Sequence, residues 1–457
     1  MNAVRPAEDA DFDSEVPVLI IGAGAAGLCA ALAASEAGTE PVVVERDAVP
    51  SGSTALSAGL IPAAGTRFQH SQGIADSAEL FAEDISRKAQ GEADPKLVRA
   101  VAAGAGPLIE WLADVYTMPF EVITDFNYPG HSAHRMHGLP SRTGAELIDR
   151  LRSAVEAREI PILTDRVCEA LFVDDDGFIE GVELAGGETI GCGALVLACN
   201  GYGGNADLMR RHIPEMSDAL YFGHPGNQGD AVLWGEALGA RLAALGGYQG
   251  HGSVATPHNI LITWAAIMEG GFQVNRDGRR FHNESLGYSE AAAQVLRQPG
   301  AIAFDILDTR IAGVARQFED FKNAETAGAL ITADSIGELA ARIGVPSDAL
   351  AAEFGQIDAG RGTPDRFGRV FAADKELTEP YCAIKVTGAL FHTQGGLVID
   401  PQGRVLRQNG KPFPNLFAAG GAAVGVSGSQ ASGYLSGNGL LTATVFGRIA
   451  GQSAAKL

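Results

Sequence analysis

The clearest hydrophobic pattern lies between residues 18 and 47. An apolar, β-branched run reaches residue 21, an alanine- and leucine-rich stretch extends to residue 34, and a second apolar run occupies 41–44. Uninterrupted apolar runs of strand length, separated by an apolar segment of helix length, are typical of buried parallel strands joined by a helix. The pattern therefore predicts a βαβ unit over residues 18–47.

The turn of this unit reads GAGAAG, with Gly22, Gly24 and Gly27 at the spacing of a dinucleotide-binding turn. Gly22 permits the tight turn, Gly24 lets the backbone approach a pyrophosphate, and Gly27 lets helix and strand pack closely. The helix N-terminus adds N–H groups and the positive end of its dipole. Glu45, eighteen residues past Gly27, is expected to bind the ribose hydroxyls.

Two further segments repeat the junction of an apolar strand with a glycine turn. They are VLACNGYGGN at 196–205 and FPNLFAAGGAAVG at 413–425, and a helix is predicted to begin near Gly437. An NAD-only dehydrogenase has no need of a C-terminal glycine segment at its N-terminal site, whereas the longer FAD needs contacts along its length. The three junctions therefore favour FAD over NAD.

The rest of the chain predicts a second domain inserted into the first. Periodicity predicts helices over 77–115 and 143–157, and strands over 160–200 with a hairpin turn at 174–177. From 248 to 385 the pattern changes to an apolar helix over 261–271, a basic turn at 275–281 and helices such as 335–344. We predict an α/β fold: a Rossmann-like FAD-binding domain from 1–247 and 386–457, with an α+β cap (substrate) domain at 248–385.

Composition narrows the class of protein. The chain has 457 residues, 46% of them hydrophobic, which is enough for two domains. Its net charge of −21 argues against nucleic acid or an anionic membrane as partner and favours a soluble cytoplasmic enzyme. Residues 1–15 are polar and acidic, so we expect a frayed tail, neither a signal peptide nor a membrane anchor.

The cysteines and a histidine cluster do not form a metal-binding pattern. Because the cysteines are scattered and lack a CxxC pair, we interpret them as buried, reduced thiols: Cys29, Cys168, Cys192, Cys199 and Cys382. The segment HSAHRMH contains His131, His134 and His137, but no cysteine or paired carboxylate lies near it, so no metal is expected. Electrons must therefore pass from the flavin to an external acceptor such as oxygen, a quinone or another carrier.

Six segments, in order along nearly the whole chain, resemble the fumarate reductase and 3-ketosteroid dehydrogenase flavoprotein superfamily: the GAGAAG turn, SGSTALSAG (51–59), QGH (249–251), GGFQVNRDGRRFHNE (270–284), HTQGG (392–396) and GNGLLTATVFGRIAG (437–451). The resemblance implies an FAD-binding domain and a cap, with substrate held against the isoalloxazine at their junction. Relatives with covalent flavin use a histidine in the segment matching 51–59. None is present here, so noncovalent FAD is expected.

The same motifs predict the residues that hold FAD. They lie in the glycine turns, in the segment 51–59 and at the start of the C-terminal helix: Gly22, Ala23, Gly24, Ala26, Gly27, Glu45, Arg46, Gly52, Ser53, Thr54, Ser57, Gly59, Val167, Asn200, Gly201, Gly420, Gly421, Ser436, Gly437, Asn438 and Leu440.

Three positions depart from the fumarate reductases. Where the resemblance places a glutamate after Thr263, a proton-donating arginine and a carboxylate-binding arginine, this chain has Trp264, Tyr288 and Tyr434. These changes remove the charges that hold and protonate a dicarboxylate. Fumarate reduction is therefore disfavoured.

The ketosteroid dehydrogenases, in contrast, place tyrosines at or near two of these positions. Forming a double bond beside a ketone needs a base for the α proton, donors for the enolate oxygen and a hydride acceptor, here flavin N5. By resemblance, Tyr288 is the base, and Tyr434 with the Gly437 N–H binds the ketone oxygen. Because a phenol titrates near 10 in water, Tyr288 needs a neighbouring donor or positive field.

The candidate helpers for Tyr288 are Tyr128, His251 and His392. The two histidines match substrate-contacting histidines of the fumarate reductase side. Tyr434 and Gly437 are three residues apart, where ketosteroid dehydrogenases usually have four. The chain thus combines features of both branches.

We predict an FAD-dependent dehydrogenase that introduces an α,β double bond into a cyclic ketone. The short cap and Trp264 favour a cyclohexanone or 4-oxocyclohexanecarboxylate-type ring over a 3-ketosteroid. Substrate contacts are predicted at Thr263, Trp264, Tyr128 and Arg135. Two alternatives stay open: a fumarate reductase-like reductase of an activated (enoate) double bond, and a non-catalytic flavin-binding protein.

Overall fold

The predicted βαβ unit is the centre of the larger of the two large sheets. A computed structural model describes residues 3–8 and 10–457. The strand Ser14–Ile21 pairs in parallel with Pro41–Val44, and the helix Ala25–Glu36 connects them. The nine-stranded sheet has the order Val4–Pro6, Cys168–Val173, Ile179–Leu184, Thr189–Leu197, Ser14–Ile21, Pro41–Val44 and Ile162–Leu163, with Pro412–Ala418 beside Thr189–Leu197 and Arg404–Leu406 beside Pro412–Ala418.

Glycines bring the C-terminal helix onto the first helix. Asn438–Ala454 packs along Ala25–Glu36, and a Cβ at Gly447 or Gly451 would lie 2.3 Å from the Ala26 carbonyl oxygen or 2.1 Å from that of Ala30. Side chains are excluded there, so the two helices approach backbone to backbone. This contact returns the chain's C-terminal segment to its N-terminal glycine turn.

The second large sheet has seven strands, most of which lie within residues 248–385. Its order is Ile260–Leu261, Tyr248–Ala255, Tyr381–Thr393, Ile302–Asp308 and Phe272–Val274, with Leu220–Tyr221 and Leu330–Ala333 also paired to Tyr381–Thr393. Two smaller sheets pair Leu242–Ala243 with Gly396–Leu397, and Met136–Gly138 with both Ile61–Pro62 and Glu121–Val122.

The remaining helices cover the two large sheets. The α-helices are Gly52–Ala55, Arg67–Ser71, Ala78–Lys88, Pro95–Val115, Gly144–Ala157, Ala206–His212, Asp230–Leu238, Ala265–Met268, Tyr288–Leu296, Thr309–Ala315, Glu319–Thr326, Ile336–Ile343 and Ser347–Ala359. Short 3₁₀ turns occur at Pro214–Met216, Glu284–Leu286, Pro299–Ala301, Gly420–Ala422 and Ala431–Gly433. Within the described ranges, no helix combines the length and apolar character that crossing a membrane requires.

Most of the predicted elements are present. The helical region 77–115 forms two helices, each started by a side-chain cap from Ser77 or Asp94. The hairpin turn at 174–177 closes with the Gly177 N–H donating to the Asp174 carbonyl (3.1 Å). The strand Tyr381–Thr393 runs through the predicted boundary at 385/386. Two separate hydrophobic clusters support the division into FAD-binding domain and cap, which stays a proposal.

Two expectations about local structure were wrong. The apolar segment 261–271 forms only the short helix Ala265–Met268, because glycines follow it and Gly270 has a φ of +116°. Residues 4–6 form a strand paired with Cys168–Val173, and Ser14–Ile21 begins inside the expected tail. Met1, Asn2 and Asp9 of that tail lie outside the described residues.

Candidate functional site

A large cleft extends from the glycine turn to the residues around Tyr288. Its empty volume is about 1920 Å³, including the solvent at its mouth. We call the part lined by Gly22, Gly24, Glu45, Ser53, Thr54, Asn200 and Gly420 the nucleotide end. We call the part lined by Tyr128, His251, Trp264, Tyr288, His392 and Tyr434 the substrate end.

The glycine turn has the close backbone contacts that its sequence predicts. Gly22 has a φ of +105°, and a Cβ there would lie 2.6 Å from the Ala198 carbonyl oxygen. A Cβ at Gly27 would lie 1.8 Å from the Gly22 carbonyl oxygen, so this residue sets the approach of helix to strand. Gly24 lines the cleft at the helix N-terminus, where free N–H groups suit a pyrophosphate.

Glu45 lies beside this turn and is almost fully buried. Its carboxylate accepts hydrogen bonds from the N–H groups of Ala23 (2.7 Å) and Asp47 (3.0 Å). The neighbouring Arg46 donates to the Gly226 carbonyl (2.5 Å) and to Asp230 (3.2 Å). The carboxylate is thereby held at the cleft wall, where ribose hydroxyls can reach it.

The segment 51–59 reinforces the turn from the opposite wall. Thr54 Oγ1 accepts the N–H of Ala25 (3.1 Å) and so caps the first helix. Ser53 Oγ accepts from the His224 N–H (3.1 Å) and from Asn227 Nδ2 (2.9 Å). The side chains of Ser53 and Thr54 therefore hold the backbone at the nucleotide end in place.

Most residues predicted to hold FAD line the cleft. These are Gly22, Gly24, Ala26, Glu45, Arg46, Gly52, Ser53, Thr54, Ser57, Gly59, Val167, Asn200, Gly420, Gly421, Ser436, Gly437 and Leu440. Four others, Ala23, Gly27, Gly201 and Asn438, lie behind the cleft wall. A Cβ at Gly201 would lie 2.0 Å from Thr393 Oγ1, so this position is a packing contact.

The substrate end brings together aromatic residues from five separate segments. The His251 ring stacks on Tyr288 (centroids 4.7 Å apart, 20° between planes). Tyr288 also contacts the rings of Tyr434 (6.1 Å), Tyr128 (6.3 Å) and Trp264 (6.3 Å). These five residues therefore lie together, and His392, Thr263 and Gly437 line the same cleft. One residue predicted to contact substrate is an exception.

That exception is Arg135, which the structure places outside the cleft. Its guanidinium is fully buried and pairs with Asp76 (2.8 Å) and with Asp84. Nearby, His131 Nε2 lies 3.0 Å from the Ser436 carbonyl, and His137 Nε2 lies 2.8 Å from Thr66 Oγ1. Arg135 thus neutralises two buried carboxylates, and its predicted substrate contact does not exist in this arrangement.

The hydroxyls of the two central tyrosines belong to one hydrogen-bond chain. Burial raises the pKa of Tyr288 well above its ordinary value, and the adjacent Tyr434 raises it further, although a hydrogen bond from Ser436 opposes both. Burial also raises the pKa of Tyr434, against hydrogen bonds from the Gly439 and Gly437 N–H groups. The Gly439 N–H lies 3.3 Å from the Tyr434 hydroxyl. Both phenols are therefore protonated at neutral pH in this state.

The two histidines of this end are neutral. Burial lowers the pKa of His251 to about 3 and that of His392 to about 4. His251 Nδ1 accepts the N–H of Ser253 (3.1 Å), which leaves Nε2 to carry the proton. Neutral imidazoles act here as hydrogen-bonding groups and bring no positive charge.

A buried relay that sequence reasoning missed orients His392. Asn438 Nδ2 donates to Ser427 Oγ (3.1 Å), which donates to Gln394 Oε1 (2.7 Å). Gln394 Nε2 then donates to His392 Nδ1 (3.1 Å), and the Thr393 carbonyl lies farther away at 3.3 Å. Asn438 therefore does not line the cleft and acts by orienting His392.

Sequence reasoning also missed several residues of the wall at the substrate end. They are Phe222, Gln249, Leu261, Phe318, Asp320 and Phe391. Gln249 is the first residue of the QGH motif, and that membership was a usable signal. Nothing in the local sequence distinguishes Asp320 from other surface acids, because its position depends on how the cap folds.

The cysteines and clustered histidines add no metal site. All five cysteines are free thiols, and Cys199, at the nucleotide end, has its pKa raised by burial to about 12. Among residues 3–8 and 10–457, no three His, Cys, Asp or Glu side chains are grouped so that they could hold a metal ion.

Comparison with known proteins reveals relatives of both chemistries. A family model described as "FAD binding domain" matches residues 17–440. A probable fumarate reductase of Shewanella frigidimarina is 32% identical over 447 residues, covering 96% of this chain and 74% of that protein. A 4-oxocyclohexanecarboxylate 2-dehydrogenase of Sinomonas cyclohexanicum is 25% identical over 554 residues, covering 96% of this chain and 94% of that protein.

Two solved structures resemble the whole chain. A flavocytochrome c3 fumarate reductase in an open conformation has a TM-score of 0.82 at 30% identity, covering 98% of this chain and 80% of that one. A 3-ketosteroid-Δ4-(5α)-dehydrogenase of Rhodococcus jostii has a TM-score of 0.78 at 24% identity, and both chains are covered completely. The second likeness shows the fold alone.

Proposed function

The chain belongs to the FAD binding domain family of the fumarate reductase and ketosteroid dehydrogenase superfamily, and we propose that it desaturates a cyclic ketone. It is an FAD-dependent oxidoreductase. The proposed reaction introduces a double bond between the α and β carbons of the ketone. The proposed substrate is a cyclohexanone or 4-oxocyclohexanecarboxylate-type ring or a 3-ketosteroid, and the FAD is held noncovalently.

One observation carries this proposal: Tyr288 and Tyr434 lie side by side at a substrate end whose wall contains no arginine or lysine among the described residues. Reduction of a dicarboxylate needs cations to bind the carboxylates and a strong proton donor. Two phenols and neutral imidazoles suit a carbonyl group, which needs hydrogen-bond donors and no counter-ion.

The glycine cradle at the nucleotide end fits FAD, because a side chain at Gly22 or Gly27 is excluded and the cleft continues to the cap. FAD, when bound, supplies the hydride acceptor for the β carbon. In our proposal Tyr288 takes the α proton. Tyr434, beside the N–H groups of Gly437 and Gly439, holds the ketone oxygen and stabilises the negative charge that develops on it.

The protonation state of Tyr288 determines whether it can act as a base or as a proton donor. A phenol whose pKa is raised is protonated at neutral pH, so its use as a base requires loss of that proton first. Ketone oxygen entering between Tyr288 and Tyr434 would release the hydrogen bond that Tyr288 donates. The proposed dehydrogenation is therefore favoured by alkaline pH.

The same protonated phenol also supports a second candidate, reduction of an enoate with Tyr288 as proton donor. The 32% identity to a probable fumarate reductase favours this candidate. The wall at the substrate end opposes reduction of a dicarboxylate such as fumarate, because the described residues there offer no cations to bind two carboxylates.

Anaerobic flavin absorbance distinguishes the two candidates. The purified holoprotein is titrated with cyclohexanone, 4-oxocyclohexanecarboxylate and a 3-ketosteroid in turn. Bleaching of the oxidised flavin by one of them is the expected result, and it also selects the ring size. If every ketone leaves the flavin oxidised, while an enoate reoxidises chemically reduced protein, the proposal is wrong and the reductase is favoured.

A further inference from the structure

The substrate end carries one formally charged side chain in the part of the chain that the structure describes, and this charge is negative. Asp320 lines the cleft together with Leu261 and Phe318. The ring of Phe318 packs on Phe126 (5.5 Å), which packs in turn on Tyr128 (5.2 Å). Asp320 thus lines the cleft two residues beyond Phe318, whose ring is linked through Phe126 to Tyr128.

The cations near this wall are held by other groups. Arg142 donates to Gln317 Oε1 (2.7 Å) and pairs with Asp125 (3.4 Å). Lys322, on the same helix as Asp320, pairs with Glu319 (2.9 Å). Neither residue lines the cleft.

The arginines that do line the cleft lie at its nucleotide end. Arg46 is held by Gly226 and Asp230, and the backbone N–H of Arg166 donates to the Glu45 carbonyl (2.9 Å). A carboxylate on a substrate would therefore find no cation at the substrate end, as far as the described residues extend, and both histidines there are neutral.

Asp320 itself is half-buried in the first turn of the helix Glu319–Thr326. Burial raises the pKa of its carboxyl, and the adjacent Glu319 adds to that effect. Among residues 3–8 and 10–457, no side chain pairs with it or donates a hydrogen bond to it. A half-buried acceptor in a cleft wall is stabilised by a ligand that donates a hydrogen bond, and a second carboxylate placed nearby repels it.

We propose that the ketone is uncharged and carries a hydrogen-bond donor such as a hydroxyl at the end remote from its carbonyl, and that Asp320 selects this group against a carboxylate. This inference rests on the proposed function for the ketone itself. Asp320 is then a specificity-determining residue. It narrows the substrate range by excluding 4-oxocyclohexanecarboxylate.

Matched ligands and a matched variant test the selection. The holoprotein and its Asp320→Asn variant are titrated anaerobically with 4-(hydroxymethyl)cyclohexanone and with 4-oxocyclohexanecarboxylate, and flavin bleaching is measured. We expect the hydroxymethyl ketone to be preferred by on the order of tenfold or more, because a like charge in a partly buried site is unfavourable. Asp320→Asn should remove most of that preference. Asp348→Asn, at an exposed acid of a helix first turn outside the cleft, should keep it.

A binding measurement separates failure of this inference from failure of the proposed function. Perturbation of the flavin spectrum by 4-hydroxybenzyl alcohol and by 4-hydroxybenzoate reports binding without turnover. Tighter binding of the alcohol, reversed or abolished in Asp320→Asn, supports the charge selection even if no ketone reduces the flavin. Equal or tighter binding of the benzoate to the wild type, a preference unchanged by Asp320→Asn, or binding of neither phenol would overturn it.

Discussion

The nucleotide and substrate ends of the cleft are built in different ways. The nucleotide end consists mainly of backbone: glycine turns at the ends of strands, where Gly22 and Gly27 exclude side chains. The substrate end consists of side chains from segments far apart in the chain, gathered around Tyr288. The nucleotide end is therefore formed where the chain has no side chains, and the substrate end by side chains that distant segments bring together.

The largest effect is expected from a substitution at a crowded backbone contact of the nucleotide end, because it should affect that end alone. Gly27→Ala places a Cβ 1.8 Å from the Gly22 carbonyl oxygen, so helix and strand must separate. We expect loss of bound FAD, measured by absorbance of the purified protein, and a lower thermal midpoint.

A glycine-to-alanine substitution at an uncrowded position serves as the control for Gly27→Ala. A Cβ at Gly355, in the helix Ser347–Ala359, meets nothing within 4 Å. Gly355→Ala should keep the flavin and stabilise the protein by about 0.5–1 kcal/mol, because alanine has the better helix propensity. Normal flavin content in Gly27→Ala would contradict the backbone account of the nucleotide end.

The next effect tests the substrate end alone. Tyr288→Phe removes the proposed base without changing the ring that packs on His251. Flavin content should stay normal, while the rate of ketone-driven flavin reduction falls about 10²- to 10⁴-fold. Tyr381→Phe, at a tyrosine outside the cleft, is the matched control. Full turnover by Tyr288→Phe would refute the proposed mechanism.

The pH dependence sharpens the role of Tyr288 further. Because its pKa is raised, only a small fraction is phenolate at neutral pH, and that fraction grows about tenfold for each unit of pH below the pKa. The flavin reduction rate should therefore rise steadily between about pH 6 and pH 9.

The histidines should add no inflection to the pH dependence of the flavin reduction rate. Burial places the pKa of His251 at about 3 and that of His392 at about 4, so both stay neutral throughout the range. Stopped-flow rates at several pH values check this directly. An inflection near the ordinary histidine value would show that one of these imidazoles changes its charge and takes part as an acid or base.

The smallest effect concerns the relay behind His392. Ser427→Ala breaks the chain between Asn438 and Gln394. One such hydrogen bond contributes about 0.5–1.5 kcal/mol, which corresponds to about a two- to tenfold loss of kcat/KM. Ser427→Thr keeps the hydroxyl and should restore most of that loss. Ser153→Ala on the exposed surface should change nothing, and an equal loss there would remove the argument for a relay.

The difference between the two ends also decided what the sequence could predict. Glycine spacing and apolar runs are local signals, so the turn at Gly22 and the helix after Gly437 were predicted from the chain alone. The tyrosines came from motif resemblance. Arg135 was misplaced because its partners, Asp76 and Asp84, lie in segments whose proximity no local pattern reveals. Asp320 was missed for the same reason.

The most direct test of the central claim is the anaerobic reaction of the oxidised holoprotein with cyclohexanone, alongside cyclohexanone deuterated at both α carbons. We expect the flavin to bleach, cyclohexenone to be released, and α-deuteration to slow the reaction because the α C–H bond is broken. The proposal would be contradicted if the ketone left the flavin oxidised and an enoate reoxidised the chemically reduced protein.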